Sequence, residues 1–467
     1  MKGHTSAADY ARKARRIWAV FQNFSDRSRP LGRSGAGSTL RAFCVHPLLC
    51  LLALLAVPAQ AQAQAPDQPP IAARAADVVA VLAQDRPTAE VFAASFLAAV
   101  PEAQLRALAD GMNSQFGRLL AVEAVTPGTT PGSAEVAFRF ERAIGRGVMQ
   151  LEPAAPFRVT GLRINSFDVL DDSAARITAD LAAMPGQTGV LLQRLGAPQP
   201  LFAHQAERQF AIGSAMKLYV LSALAHQVQA GQRRWTDVVP LGPPSLSSGQ
   251  MHDWPARSPA TLHTLAAMMI SISDNTATDT LISLLGHEAV EAEMRASGHA
   301  RPELNTPFLT TRQSFLLKGG DSGTLYTYAH AGEMDRKDML ADLAGAELDR
   351  DRILASFAAG PRAIDVEWFA SGQDIARIFQ RIRALPDRTA LDLLAINPSL
   401  GNAARDWAYA GYKGGSEPGV LNLSWLLQDK AGDWYVLAMS WNDPQAVVDQ
   451  QQFALMAQRV LALARRP

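Results

Sequence analysis

The chain is poor in cysteine. Its two cysteines, Cys44 and Cys50, both lie within the first 63 of 467 residues. The rest of the sequence therefore cannot form disulfides, supply a thiol nucleophile or build a thiolate metal site. The nine histidines show no H-E-x-x-H or comparable spacing, so we expect no metal and no cofactor.

Neither sign of charge is in excess, since 44 Lys and Arg stand against 44 Asp and Glu. The distribution is uneven, because the first 63 residues hold nine basic and two acidic side chains, which leaves 35 and 42 for the rest. A mildly acidic main body gives no electrostatic reason to bind nucleic acid. We therefore expect no nucleic-acid partner.

The basic start runs into a short apolar segment, residues 46–57, followed by Ala-Gln repeats. A positive region, an apolar core and A-x-A steps are typical of a secretory signal peptide. We expect residues 1–65 to be such a leader with a long basic region, cleaved after Ala61 or Ala63, and the protein to be exported to the periplasm or beyond. The apolar run is short for a bilayer, so we expect no stable membrane span in the mature form; an N-terminal anchor is the alternative.

A serine and a lysine stand three positions apart at Ser214 and Lys217. On a helix, positions i and i+3 share a face, so this spacing places the lysine amine beside the hydroxyl. A serine hydroxyl is a weak nucleophile until a base takes its proton. A lysine becomes a base when burial or a second cation disfavours its charge. The residues around Ser214 lack the G-x-S-x-G pattern of another class of serine hydrolase.

Two tripeptides follow: Ser-Asp-Asn at 273–275 and Lys-Gly-Gly at 413–415. Alone, S-x-x-K is a common accident, but the order S-x-x-K, S-D-N, K-[TS]-G resembles the signature set of class A β-lactamases and penicillin-binding proteins. The resemblance covers roughly Asp172 to the C-terminus. It implies an α+β fold of the β-lactamase/transpeptidase type, with an antiparallel sheet flanked by helices.

The resemblance also implies catalytic roles. Ser214 is the expected nucleophile, and Lys217 is the base that takes its proton. Ser273 is expected to pass a proton to the leaving group. Lys413, the candidate second cation, would hold Ser273 and a substrate carboxylate.

Binding roles follow from the same resemblance. Asn275 would hydrogen-bond an amide of the substrate, beside Gly415 and Ser416 on the opposite strand. The backbone N–H groups of Ser214 and Ser416 would form an oxyanion hole, in which one donor is typically worth about 3 kcal/mol of barrier. The chain departs from the motif at Gly414, where the family has Thr or Ser, and the substrate carboxylate loses a hydroxyl partner there.

A second departure lies at residues 301–305, which read Arg-Pro-Glu-Leu-Asn. The family has E-P-x-L-N, whose first Glu activates the deacylating water. Arg301 stands at that position. Glu303 is a possible replacement, although an exposed loop carboxylate is the favoured interpretation. Without the glutamate, acylation is expected to continue while deacylation slows.

The pattern before the motifs predicts a separate domain. After a linker at 66–72, helical periodicity over 73–115 gives way to alternating apolar and charged residues over 134–141. Helices followed by an antiparallel sheet indicate an α+β domain over 73–170. Its order resembles the NTF2/ketosteroid-isomerase class by pattern alone. A structural or docking module is favoured over a second active site.

Residues 171–467 are expected to form the β-lactamase-like domain, with β-rich segments at 419–428 and 434–441 and a closing helix at 446–465. Residues 306–366 make the chain longer than the family usually allows. We interpret them as an inserted cap beside the cleft; a solvated helical insertion with no direct role is the alternative.

Together these features predict an exported active-site serine hydrolase that acts on a small molecule, a β-lactam or a related amide or ester. A D,D-peptidase or an esterase would use the same parts. A β-lactam-binding protein with little turnover is a third possibility. The sequence leaves the substrate and the oligomeric state open.

Overall fold

The computed structural model describes residues 70–170, 172–246 and 248–464, which belong to one compact unit. The predicted leader at 1–65 lies outside the described residues, as does most of the predicted linker at 66–72. Among the described helices, none is both long enough and apolar enough to cross a membrane.

The first part of the described chain consists of helices followed by a four-stranded antiparallel sheet in the order β1-β2-β3-β4. Phe116, Phe138 and Phe140 are buried between the two layers. The predicted helix-then-sheet arrangement is therefore present, and its likeness to the NTF2 class stays a prediction. The elements are α1 Ile71–Leu82, α2 Thr88–Val91, α3 Ala94–Ala99, α4 Glu102–Phe116, β1 Leu119–Pro127, β2 Ser133–Phe140, β3 Ala143–Leu151 and β4 Val159–Val169.

The helical stretch is interrupted where prolines and one extended pair intervene. Pro87 and Pro101 immediately precede α2 and α4, as expected of a residue that has no N–H and a fixed φ. Between α2 and α3, Phe92 and Ala93 are extended, and the Ala93 N–H donates to the carbonyl oxygen of Val159 at 2.9 Å. This contact ties the helical layer to β4.

Strand β1 is missing from the sequence prediction. Its side chains are all at least partly exposed, so the alternation that marks a half-buried strand is absent. Strand β2 has that alternation, because Val136, Phe138 and Phe140 are buried while Glu135 is exposed. The partly buried residues of β1, Leu119, Val122 and Val125, pack on the core three positions apart, and the pairing with β2 contains two register shifts.

The second part is built on an antiparallel sheet in the order β11-β13-β14-β5-β6, with β12 also pairing with β13. Successive side chains alternate between two cores: Leu191 packs on one face, and Val190 and Leu192 on the other. Because both faces are covered, the strands are almost continuously apolar. The strands are β5 Gln187–Arg194, β6 Phe202–His204, β7 Phe210–Ala211, β8 Val238–Pro240, β9 Pro259–Thr261, β10 Phe369–Ala370, β11 Tyr409–Tyr412, β12 Gly415–Glu417, β13 Val420–Gln428 and β14 Trp434–Asn442.

Helices cover both faces of this sheet. The first helix of this second part, α5 (Ala174–Ala183), and the last, α16 (Gln450–Leu463), pack on one face of the sheet. Helix α6 (Lys217–Gln229) lies at the centre of the larger core on the other face. Residues 217–225 of α6 are all buried, which agrees with its apolar character all round. The helices are α5 Ala174–Ala183, α6 Lys217–Gln229, α7 Leu262–Ser271, α8 Asn275–Leu285, α9 His287–Ala296, α10 Thr311–Gly319, α11 Ser322–His330, α12 Glu333–Asp342, α13 Arg350–Ala358, α14 Gly372–Arg383, α15 Thr389–Ala395 and α16 Gln450–Leu463.

The segment predicted as an insertion, 306–366, contains α10 to α13. Helix α10 is part of the domain interior, since it buries Leu317 and Lys318 among others. Helices α12 and α13 are mostly exposed, with Leu340 and Ile353 as their buried residues. The four helices therefore differ in how closely they contact the sheet domain.

Contacts between the two parts run through α16. The backbone N–H of Phe167 in β4 donates to Gln458 Oε1 at 3.1 Å. One position on, Arg459 donates to both carboxylate oxygens of Asp172, at 2.7 and 3.0 Å, with both side chains buried. Asp180, at 2.7 Å, is a further partner of the guanidinium. Arg459 thus anchors the chain where it passes from β4 to α5.

We expect Arg459→Met to lower the free energy of unfolding by roughly 3–5 kcal/mol, because Asp172 would be left as a buried carboxylate without its cation. Urea denaturation of the purified protein measures this. Arg106→Met removes an ion pair whose two side chains are about half exposed, and should change stability by less than about 1 kcal/mol. Equal effects of the two substitutions would contradict the anchoring role.

Candidate active site

Ser214 lies in a single 3₁₀ turn, Gly213–Met216, and Lys217 is the first residue of α6. The sequence spacing suggests an α-helix here, but in a 3₁₀ turn positions i and i+3 eclipse. The serine and the lysine therefore remain on one side. Ser214 is partly exposed while its neighbours in the turn are buried, which leaves the hydroxyl accessible.

Lys217 is fully buried. Its Nζ donates to the Ser273 carbonyl oxygen at 2.7 Å, to the Ser273 hydroxyl at 3.0 Å and to Asn275 Oδ1 at 2.7 Å. All three acceptors belong to the second motif. The structure thus brings the first two motifs into direct contact around one amine.

Ser273 is where two lysines meet. Its hydroxyl accepts from Lys217 Nζ at 3.0 Å and from Lys413 Nζ at 3.1 Å. Its backbone has a φ of +59°, a left-handed conformation that costs about 1–3 kcal/mol in a residue other than glycine. Surrounding contacts must therefore hold the turn.

Asp274 supplies those contacts. Its buried carboxylate accepts from the backbone N–H groups of Gln250, Met251 and Ala277 at 2.6, 2.8 and 2.8 Å. It also caps α8, which begins at Asn275. The sequence motifs predict no role for Asp274. A usable signal is its type, since Asp is a preferred residue immediately before a helix.

Lys413 lies between β11 and β12, which both pair with β13 at one edge of the sheet. It is 3% exposed, and its Nζ also donates to the carbonyl oxygen of Gly414 at 2.5 Å. The third motif is therefore an interruption in an edge strand, and the interruption turns the lysine toward Ser273.

The predicted oxyanion-hole segments approach each other closely. A Cβ at Gly415 would lie 2.1 Å from the Ile212 carbonyl oxygen and 2.3 Å from the Ser214 nitrogen. A Cβ at Gly213 would lie 3.2 Å from the Ser416 nitrogen. Glycine at 415 is thus required for the approach. The N–H groups of Ser214 and Ser416 belong to two backbones in contact.

Asn275 is buried and both ends of its amide have partners. Besides accepting from Lys217, it donates through Nδ2 to the carbonyl oxygen of Leu246 at 3.0 Å. An amide nitrogen carries two N–H groups, and one of them is used in this bond. Its predicted contact with a substrate amide stays a prediction.

Residues 172–396 match the model of a family described as the β-lactamase enzyme family. The resemblance to the β-lactamase and penicillin-binding superfamily that the motifs predict is therefore confirmed for this segment. The match includes Ser214, Lys217, Ser273 and Asn275, and ends before Lys413. The sheet flanked by helices is the β-lactamase/transpeptidase-like fold, so the predicted fold class of this domain is confirmed.

Solved structures similar to part of the chain include a β-lactamase from Sphaerobacter thermophilus DSM 20745, with 20% identity over 62% of this chain and 94% of that one and a TM-score of 0.43. A β-lactamase from Desulfarculus baarsii DSM 2075 has 20% identity over 63% and 100%, with a TM-score of 0.44. The protein PBP-A has 18% identity over 63% and 96%, with a TM-score of 0.43. Among curated proteins, none matches.

The structure gives a steric reason for the departure from the β-lactamase motif at Gly414. A Cβ at this residue would lie 2.1 Å from the Tyr412 hydroxyl and 2.7 Å from the carbonyl oxygen of Asn422. The Tyr412 ring packs on Trp425, with 5.0 Å between ring centroids. Thr or Ser would displace both a packed tyrosine and a strand backbone. The Tyr412 hydroxyl occupies the space that a side chain at position 414 would need, so glycine is the residue that fits there.

The loop 301–305, where the resemblance predicts the position of a catalytic glutamate, holds a surface ion pair. Arg301 donates through Nε to Glu303, and the two side chains are 58% and 59% exposed. This hydrogen bond lowers the pKa of Glu303, which makes it a weak base. By contrast Asn305 is buried, and its amide bonds both the N–H and the carbonyl of Phe369 at 2.7 and 3.0 Å.

Electrostatics at the site concern two amines. Burial lowers the pKa of Lys217 to about 7, against the opposing charges of Asp279 and Asp274. Burial and then the charge of Lys217 hold the pKa of Lys413 well below its usual range. The charged forms of Lys217 and Lys413 therefore disfavour each other, and one of the two amines can be neutral near neutral pH. Among the described residues, no group of three or more His, Cys, Asp or Glu side chains could hold a metal ion.

We expect the rate constant for acylation of Ser214 by a reactive β-lactam to rise with pH through about 7 and then to level. The amine is a base only when unprotonated, so below this pKa the rate should fall about tenfold per pH unit. Stopped-flow acylation between pH 5 and 9 measures the profile. A flat profile would contradict the assignment of Lys217 as the base.

Proposed function

We propose that this protein is an exported serine hydrolase of the β-lactamase family, acylated at Ser214 by a β-lactam or a related amide or ester, with slow breakdown of the acyl-enzyme. The observation that carries the proposal is the Ser273 hydroxyl, which lies within hydrogen-bond distance of two buried amines, those of Lys217 and Lys413. Export rests on the leader pattern of the first 65 residues.

In the proposed first step, neutral Lys217 takes the proton of the Ser214 hydroxyl as the serine oxygen bonds to the carbonyl carbon. The carbonyl oxygen becomes an oxyanion, which the N–H groups of Ser214 and Ser416 would stabilise. This geometry is supported by the contact between the two backbones at Gly415.

In the proposed second step, the bond between carbonyl carbon and leaving nitrogen or oxygen breaks. Ser273 gives its proton to the leaving atom and receives one from Lys217, to which it is already hydrogen-bonded at 3.0 Å. Lys217 ends neutral, and the product is an ester of Ser214. Lys413 lies 3.1 Å from the same hydroxyl, and its protonated form would offer a site for a substrate carboxylate.

The direct test is the intact mass of the protein after incubation with benzylpenicillin. We expect one adduct on the wild type and none on Ser214→Ala. Lys217→Ala should slow its formation by about 10²–10⁴-fold, the usual contribution of a general base. Ser322→Ala removes an exposed hydroxyl at the start of α11 and should label like the wild type.

Labelling of Ser214→Ala at the wild-type rate would refute the proposal. If the wild type forms no adduct with the penicillin but turns over a D-Ala-D-Ala peptide or a simple ester, the peptidase or esterase alternative replaces the β-lactamase-like one. A permanent adduct without turnover of any of these substrates would identify a β-lactam-binding protein.

We expect hydrolysis of nitrocefin to begin with a burst equal to the enzyme concentration and to continue slowly. Arg301 occupies the position of the water-activating glutamate, and loss of that base should slow deacylation by about 10²–10⁴-fold. Stopped-flow absorbance records both phases. Glu303→Gln should leave the slow phase unchanged, because Glu303 is paired and exposed. Rapid turnover without a burst, abolished in Glu303→Gln, would show that Glu303 activates the water.

A further inference from the structure

A third buried lysine, Lys318, lies outside the motifs. Lys318, near the end of α10, is fully buried, and its Nζ donates to Glu367 Oε1 at 2.8 Å and to Glu417 Oε1 at 2.5 Å. Glu367 is 6% exposed. Three distant segments therefore meet at one amine: α10, the stretch before β10, and the edge strand β12.

The charges in this cluster favour a closed arrangement. Burial disfavours the Lys318 ammonium, but the charges of Glu367 and Glu417 outweigh it and raise the pKa of the lysine. Burial and the charge of Glu367 raise the pKa of Glu417. Lys318 is thus the cation that lets two carboxyl groups share a buried space, and charge-assisted hydrogen bonds of this kind are the strong ones.

Each carboxyl group adjoins one side of the proposed oxyanion hole. Glu417 directly follows Ser416 in β12. Glu367 directly precedes Trp368, whose carbonyl oxygen accepts from the N–H of Ile212 at 2.9 Å, two residues before Ser214. The cluster therefore joins the backbone of the Ser214 turn to the backbone of β12.

The other end of α10 is held near Lys217. The N–H and the hydroxyl of Thr311 donate to Asp279 at 2.7 and 2.8 Å, and Asp279 is the carboxylate whose charge most opposes loss of the Lys217 proton. Helix α10 thus contacts Asp279 at its start and carries the Lys318 cluster near its end.

We propose that Lys318, acting through Glu367 and Glu417, is a positioning residue that sets the separation of the Ser214 and Ser416 N–H groups. The proposal rests on the function proposed above. Stabilisation of an oxyanion requires donors at about 2.7–3.1 Å from its oxygen, so a strand that moves by a fraction of this distance weakens the transition state and leaves initial binding intact.

Glu417→Ala tests this with the Lys318–Glu367 pair preserved. We expect the acylation rate constant to fall up to about 10²-fold, as for a misplacement of about 1 Å, while the dissociation constant of the preceding complex changes less than about twofold. A boronic acid inhibitor, which forms a tetrahedral anion on the serine, should lose affinity by a similar factor. Glu417→Gln keeps the hydrogen bond to Lys318 and should recover most of the loss.

Lys337→Met is the matched control, since it removes a lysine from an exposed ion pair with Glu333 on α12, and it should acylate like the wild type. Lys318→Met should follow Glu417→Ala if it folds, as a thermal melt will show. Wild-type acylation and boronate affinity in Glu417→Ala would overturn the positioning role alone. An unlabelled wild type would overturn the proposed function and this inference with it.

Discussion

Two buried amines share one serine hydroxyl, and the remainder of the site is arranged around that contact. Lys217 and Lys413 both donate to Ser273, so the charge of each disfavours the charge of the other. Placing the hydroxyl there requires a left-handed backbone at Ser273, which the three backbone hydrogen bonds of Asp274 hold. The strain and the buried charges are located where the proposed proton transfers occur, which is where such features are usually found.

The two departures from the family motifs affect different stages of the proposed reaction. At Gly414 the missing hydroxyl is replaced in space by Tyr412, so the change concerns recognition of a substrate carboxylate. At Arg301 the missing carboxylate is replaced by an exposed ion pair with Glu303, so the change concerns water activation. Neither Gly414 nor Arg301 takes part in the hydrogen bonds of Lys217. In the proposed mechanism, formation of an acyl-enzyme and its hydrolysis therefore depend on different residues.

The segment 306–366, predicted to be an insertion, is joined to the site through α10. Asp279 holds one end of this helix and the Lys318 cluster holds the other. On the opposite face of the sheet, the ion pair of Arg459 with Asp172 joins α16 to the segment that follows β4. Buried ion pairs in both places join segments that are far apart in sequence. Loss of one partner of such a pair strongly destabilises the folded protein, because the other charge is left buried without its partner.

Local sequence by itself determined the motifs, the periodic elements and the helix-then-sheet order, because spacing and alternation depend on neighbouring residues alone. It missed β1, whose partly buried residues Leu119, Val122 and Val125 are three positions apart and do not alternate, and it could not foresee the 3₁₀ turn at Ser214. Tertiary structure alone decided that Lys413 reaches a hydroxyl 140 positions away, that Tyr412 fills the space beside Gly414, and that Lys318 finds two carboxylates. Those contacts join residues that share no local pattern, so they exist only once the chain has packed.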